Sequence, residues 1–144
     1  MTMTNAALQA RVNDFNWLLS SFAENTTGVE QAICVSADGL LMAMSSNLDR
    51  GSADKLAAIV SGLRSLSDGA SRVMGRGGVS QVIVEMKDGY LFASSIGHGS
   101  SLGVLTGRGV DLGLVGYAMT LFVQRVGSQL TPELIAELKN SLGR

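Results

Sequence analysis

The sequence predicts an α+β domain: a five-stranded antiparallel sheet with helices on both faces. Apolar residues recur in the order helix, two strands, helix, three strands, helix, helix. Short turns containing Asp38-Gly39 and Asp88-Gly89 join strand to strand, and links of that kind make antiparallel hairpins. The runs Ala32-Ile33-Cys34-Val35 and Leu40-Leu41-Met42-Ala43 are apolar at consecutive positions, where a sheet with one wet face would alternate. Helices should therefore cover both faces. One long helix provides the only crossover, which argues against a doubly wound parallel sheet.

The elements justify themselves in order. Leu8, Val12, Phe15, Leu19 and Phe22 recur at spacings of four and three, predicting a helix from about Asn5 to Ala23. Glu24 to Gly28 breaks the period, and Val29 to Ser36 reads as the first strand, Leu40 to Ser45 as the second. Asp49 or Ser52 caps a helix from Ser52 to Met74, ended by Gly75, Gly77 and Gly78. Val79 to Met86, Tyr90 to Ser95 and Ser101 to Thr106 follow as a three-strand meander with the turn Gly97-His98-Gly99. Asp111 caps a helix from Leu112 to Arg125, expected to be nearly all buried. Thr131-Pro132 opens a short last helix, about 131–142, with Thr as cap and Pro at its first position.

A length of 144 residues suits one domain spanning 1–144, with a continuous core. Hydrophobic residues make up 46% and charged ones only 16%, a balance that leans towards an oligomer. Net charge is −1 with basic residues scattered singly, so neither nucleic acid nor an anionic membrane finds an electrostatic footprint. The longest uncharged apolar run, Leu112 to Val123, is too short for the ~20 residues of a membrane span, and no secretory signal opens the chain. Cys34 stands alone, which excludes an internal disulfide and suits a reducing, cytoplasmic setting.

The Ser52–Met74 helix divides into sectors. Leu56, Ile59, Val60, Leu63, Leu66, Ala70, Val73 and Met74 form a wide apolar arc, expected to lie on the sheet. Arg64, Asp68 and Arg72 follow at i, i+4 and are expected in water. Between them runs a strip with almost no side chain: Ala58, Ser61, Gly62, Ser65 and Gly69. Glycine inside a helix costs about 1 kcal/mol against alanine, so the strip predicts a close approach, most simply by the same helix of a second copy.

Catalytic signals are weak. Gly107-Arg108-Gly109 lacks the third glycine of a dinucleotide fingerprint, since Leu112 stands there, and the chain contains no Gly-Lys for a phosphate-binding loop. His98 has no readable nucleophile and orienting group, Cys34 reads as core, and Asp38 and Asp88 are explained by their turns. No cofactor, metal or enzymatic activity is expected.

Asp14-Phe15-Asn16-Trp17-Leu18-Leu19-Ser20-Ser21-Phe22, Gly28-Val29 and Val35-Ser36-Ala37-Asp38-Gly39-Leu40-Leu41 resemble the opening of bacterial roadblock/dynein light chain domains. Ala53-Asp54-Lys55-Leu56-Ala57-Ala58-Ile59, Ser61-Gly62-Leu63, Val82-Ile83-Val84-Glu85-Met86, Asp111-Leu112-Gly113, Gly116-Tyr117, Arg125-Val126-Gly127 and Leu130-Thr131-Pro132-Glu133-Leu134 extend the likeness. The resemblance implies a roadblock, profilin-like fold that homodimerises through the central helix and the strand after it. The interface would then comprise Ala58, Ser61, Gly62, Ser65, Gly69, Val79, Val82 and Val84. It also implies a Ras-like small GTPase as partner, often with a sensor-kinase-like protein, the chain acting as regulator or scaffold. Lys55, Arg64, Asp68 and Arg72 would face the GTPase. An alternative is a sensory domain of the PAS or GAF kind binding a small ligand, in which Met42, Met44, Phe92 and Leu105 would line a pocket; they read instead as core filling.

Overall fold

The computed structural model describes residues 4–143; Met1–Met3 and Arg144, at the ends of the expected domain, lie outside the described residues. The chain runs α1 (Asn5–Asn25), β1 (Val29–Val35), β2 (Leu41–Met44), α2 (Arg50–Met74), β3 (Gln81–Met86), β4 (Gly89–Gly97), β5 (Ser100–Thr106), α3 (Leu112–Val126), a 3₁₀ turn (Gly127–Gln129) and α4 (Pro132–Ser141). Each helix begins at a side-chain cap: Thr4 accepts from Ala7 N–H at 3.1 Å, Asp49 from Ser52 at 3.0 Å, Asp111 from Leu114 at 3.1 Å and Thr131 from Leu134 at 3.2 Å. Asp49, not Ser52, is thus the cap of α2. Gly75 closes that helix in the left-handed conformation, φ 61°, which glycine enters without steric cost.

The sheet order is β2-β1-β5-β4-β3 with every neighbour antiparallel. Because β2 and β3 are the two edges, α2 must cross the whole sheet to join them. Ala32 and Cys34 point into a core with Phe15, Leu19, Phe92, Met119, Phe122, Leu134 and Leu138, built by α1, α3 and α4. Ile33 and Val35 point the other way, to Leu41, Ala53, Ala57, Val60, Leu91 and Ala93 under α2. Consecutive apolar positions in β1 thus feed two separate cores. Phe122 joins the helices of the first, its ring centroid 6.4 Å from Phe15 and 5.1 Å from Phe22.

Two expectations are corrected. α3 is not nearly all buried: Val115, Met119, Phe122 and Val126 form its buried stripe, while Leu112, Leu114, Tyr117 and Leu121 are exposed. One sheet face meets one stripe of a helix, and among the described residues no element buries Leu112, Leu114, Tyr117 or Leu121. The third strand starts at Gln81, leaving Val79 in the preceding loop.

Candidate interaction surface

α2 is seated on the sheet by small residues. Its buried positions are Ala53, Ala57 and Val60, all in its first half. Under Val60 lies Gly103 of β5, where an added Cβ would stand 2.8 Å from Val60 Cγ2 and 3.2 Å from Ile33 Cγ1. Alanines above and a glycine below bring helix and sheet close together, and that close seat sets the helix's rotation. Of the predicted apolar arc, only Val60 belongs to the fully buried, seated face. Leu56 and Leu63 pack partly against the core, but Ile59, Leu66, Ala70, Val73 and Met74 face outward, with Leu66 75% and Val73 83% exposed.

α2 therefore carries an uncovered apolar stripe, at i, i+7 and i+14 for Ile59, Leu66 and Val73. Beside it runs β3, an edge strand with one neighbour, β4. Val82 and Val84 turn partly buried towards the α2 core, and Ile83 and Met86 are exposed. The strip Ala58, Ser61, Gly62, Ser65 and Gly69 adjoins that stripe, Gly62 and Gly69 standing one turn before Leu66 and Val73, and reaches round to Ser61, whose Oγ would lie 3.5 Å from a Cβ on Gly39 in the β1–β2 turn. A Cβ on Gly62 would meet nothing within 4 Å, and one on Gly69 would approach only Arg72, at 3.8 Å.

The charged sector also needs correction. Arg64 is withdrawn from water, its side chain 12% exposed, with Nη1 donating to Ser101 Oγ at 2.9 Å and Nη2 lying 3.6 Å from Asp68 Oδ2. It lies on the same side of the helix as Ala53, Ala57 and Val60, so its guanidinium reaches the end of β5. Lys55 and Arg72 are exposed, and Asp68 is half-buried. From Lys55 to Arg72 the helix rises about 25 Å, so those charges do not form one cluster.

The remaining candidates fall to structure. His98 occupies the β4–β5 turn at φ 52°, exposed, and Ser100 Oγ donates to Met42 Sδ at 3.7 Å. Cys34 is fully buried, and burial pushes its thiol pKa up. Asp38 accepts from Ser36 Oγ and pairs with Lys139 at 3.4 Å; the Ser36 bond first, then Lys139, holds its carboxyl below the usual range. Met42 and Phe92 are completely buried in the first core, where the sensory reading would have needed an open pocket.

A family model for the roadblock/LC7 domain matches residues 15–106, more than half of the chain. The chain belongs to the roadblock/LC7 family. Roadblock domains are in general scaffolds and regulators, not catalysts. The structure is similar to a roadblock/LC7 domain from Streptomyces avermitilis, 38% identical, with a TM-score of 0.75 over 79% of this chain and 95% of that one. Myxococcus xanthus MglB is 16% identical, with a TM-score of 0.74 over 81% of this chain and 94% of its own. Acanthamoeba castellanii profilin IB shares the fold at 12% identity and a TM-score of 0.55, covering 80% and 98%. No curated protein matches by sequence. The roadblock match contains α2, β3 and the seat of α2 on β5; α3 and α4 follow it. Among the described residues, no helix is long and apolar enough to cross a membrane.

Proposed function

We propose that the chain is a homodimeric, non-catalytic regulator or scaffold that binds a Ras-like small GTPase in the cytoplasm, with a sensor-kinase-like protein as a further partner. The observation that carries the dimer is the uncovered stripe of Ile59, Leu66, Val73 and Met74 beside the unpaired edge of β3. A two-fold axis there would pair β3 with β3 of the second copy and lay the two α2 helices side by side. Val79, Val82 and Val84 belong to that interface, with Ala58, Ser61, Gly62, Ser65 and Gly69 as the competing helix face. The GTPase reading rests on family membership. Its surface is assigned to the exposed Lys55 and Arg72 with Asp68; Arg64 acts by holding Asp68 from below.

Sedimentation at micromolar concentration decides between the two helix faces. Leu66→Asp with Val73→Asp should raise the dimer Kd by about 10³-fold or more, since each buried apolar side chain is worth about 1.5–3 kcal/mol and the symmetric contact counts it twice. Ser65→Leu, exposed on the flank turned away from the stripe, should leave the dimer intact. The reverse pattern would return the interface to the small-residue strip. Calorimetry with a GTPase encoded nearby should give tighter binding in the GTP state, whose switch loops are ordered by the γ-phosphate, and weaker binding after Arg72→Glu. Equal affinity for both nucleotide states would discard the switch-sensing role.

A further inference from the structure

The layer of α1 and α3, across the sheet from α2, carries an uncovered apolar surface of its own. On α3, Leu114, Tyr117 and Leu121 recur at i, i+3 and i+7, all exposed. Trp17 of α1, 63% exposed, shares with Leu121 and Arg125 a cleft of about 310 Å³ between the two helices. At the other end of the stripe, Asp111 and Leu114 line the hollow beside Gly28 and Val110. Each terminal leucine therefore stands next to one charge, acidic at the start of α3 and basic at its end. Asp111 gives one carboxylate oxygen to the Leu114 N–H, and Arg125 forms no ion pair among the described residues.

The pattern is symmetric. Leu114 and Leu121 lie equally far on either side of the Tyr117–Ala118 step, and Asp111 and Arg125 nearly so. When two such helices are laid antiparallel about that point, each Leu114 faces a Leu121 and each Asp111 faces an Arg125, so every contact is made twice. A parallel pairing would set like charges against each other. Exposed Leu, Tyr and Trp with charges confined to the rim are the composition of an interface, and here the surface complements itself. We propose that the α3 stripe, with Trp17 beside it, docks the same stripe of a second copy, the two α3 helices running antiparallel across a two-fold axis at Tyr117 and Ala118. This contact and the β3 dimer use opposite faces of the sheet, so neither rests on the other, and both together would join dimers into a larger assembly.

The test uses the full chain carrying Leu66→Asp and Val73→Asp, which blocks the α2 stripe and leaves the α3 face untouched. Sedimentation should still show self-association in the micromolar range. Trp17 is the chain's one tryptophan, so its emission should shift to the blue as concentration rises and report this face alone. Adding Leu121→Lys, at an exposed position, should weaken association about tenfold or more and abolish the shift with an unchanged melting curve. Arg125→Glu should weaken it less, and added salt should weaken it only while Arg125 is present. Under oxidised glutathione, Ala118→Cys should form a disulfide between copies, because it lies at the axis, whereas Thr120→Cys, on the flank towards β3, should not. Cys34 is buried and contributes no cross-link. A monomer throughout the micromolar range would overturn the proposal, as would association and a Trp17 shift that survive Leu121→Lys, or equal cross-linking at the two cysteine positions. Trp17 emission that is blue at every concentration, with a co-purified protein or small molecule bound, would assign the face to that occupant instead.

Discussion

The two edges of the sheet are treated in opposite ways. At β2, α4 packs against the strand and α1, burying Leu134 and Leu138. Its end is fastened to neighbouring elements: Arg50 Nη1 donates to the Leu142 carbonyl at 2.5 Å and Lys139 meets Asp38 at 3.4 Å. At β3 no element of the described chain continues the sheet, and Glu85 is the only charge within the strand. Proteins blunt such edges with prolines, bulges or covering helices, and β3 has none of these. Edge protection on one side and an apolar, unprotected edge on the other is the asymmetry that the proposed dimer would complete.

Breaking the covered edge gives the largest expected effect. Leu138→Ala should destabilise the fold by about 2–5 kcal/mol, the cost of a cavity at a fully buried leucine, read as a lower denaturant midpoint at unchanged slope. Self-association of the folded fraction should not change. A parallel loss of association would show that the two edges are coupled.

A smaller effect tests how the seat of α2 controls the open edge. Gly103→Ala places a methyl 2.8 Å from Val60 and should cost about 1–3 kcal/mol through overpacking. Lifting α2 also displaces its outward stripe, so the proposed dimer should weaken in the same variant. Loss of stability with unaltered association would separate the seat from the interface.

The smallest effect is electrostatic and separates the Asp38 contact at the covered edge from the cap that opens α2. Asp38 and Asp49 are both held below the ordinary 3.8, Asp38 chiefly by Ser36 and Asp49 by the Ser52 backbone N–H. A depressed folded pKa stabilises fully above the unfolded value of about 3.9 and stops doing so as pH falls through the folded value. Stability should therefore fall modestly below about pH 4. Asp49→Asn keeps a capping oxygen without the titration and should flatten part of that fall, whereas Lys139→Ala should alter it only slightly. An acid limb unchanged in Asp49→Asn would remove the cap from the account.

Local chemistry was legible in the residues themselves. Caps at Asp111 and Thr131, the terminating Gly75, the Asp-Gly hairpins and the consecutive apolar runs depend on neighbours a few residues away, and the element order followed from them. Family likeness, too, was written in the ordered set of short matches. Orientation was not legible. The apolar arc of α2 was broad enough to permit several rotations, and the choice fell to Ala53, Ala57 and Val60, with Gly103, distant in sequence, leaving the room that Val60 fills. The same rotation drew Arg64 to Ser101 and turned Leu66 and Val73 outward. Likewise the α3 run could announce an apolar helix but not that only one stripe would meet the sheet, leaving Tyr117 above a groove floored by β3 and β4. Periodicity reports which residues share a face of an element; which face is covered depends on the size of the residues it meets, and those are brought together only by the fold.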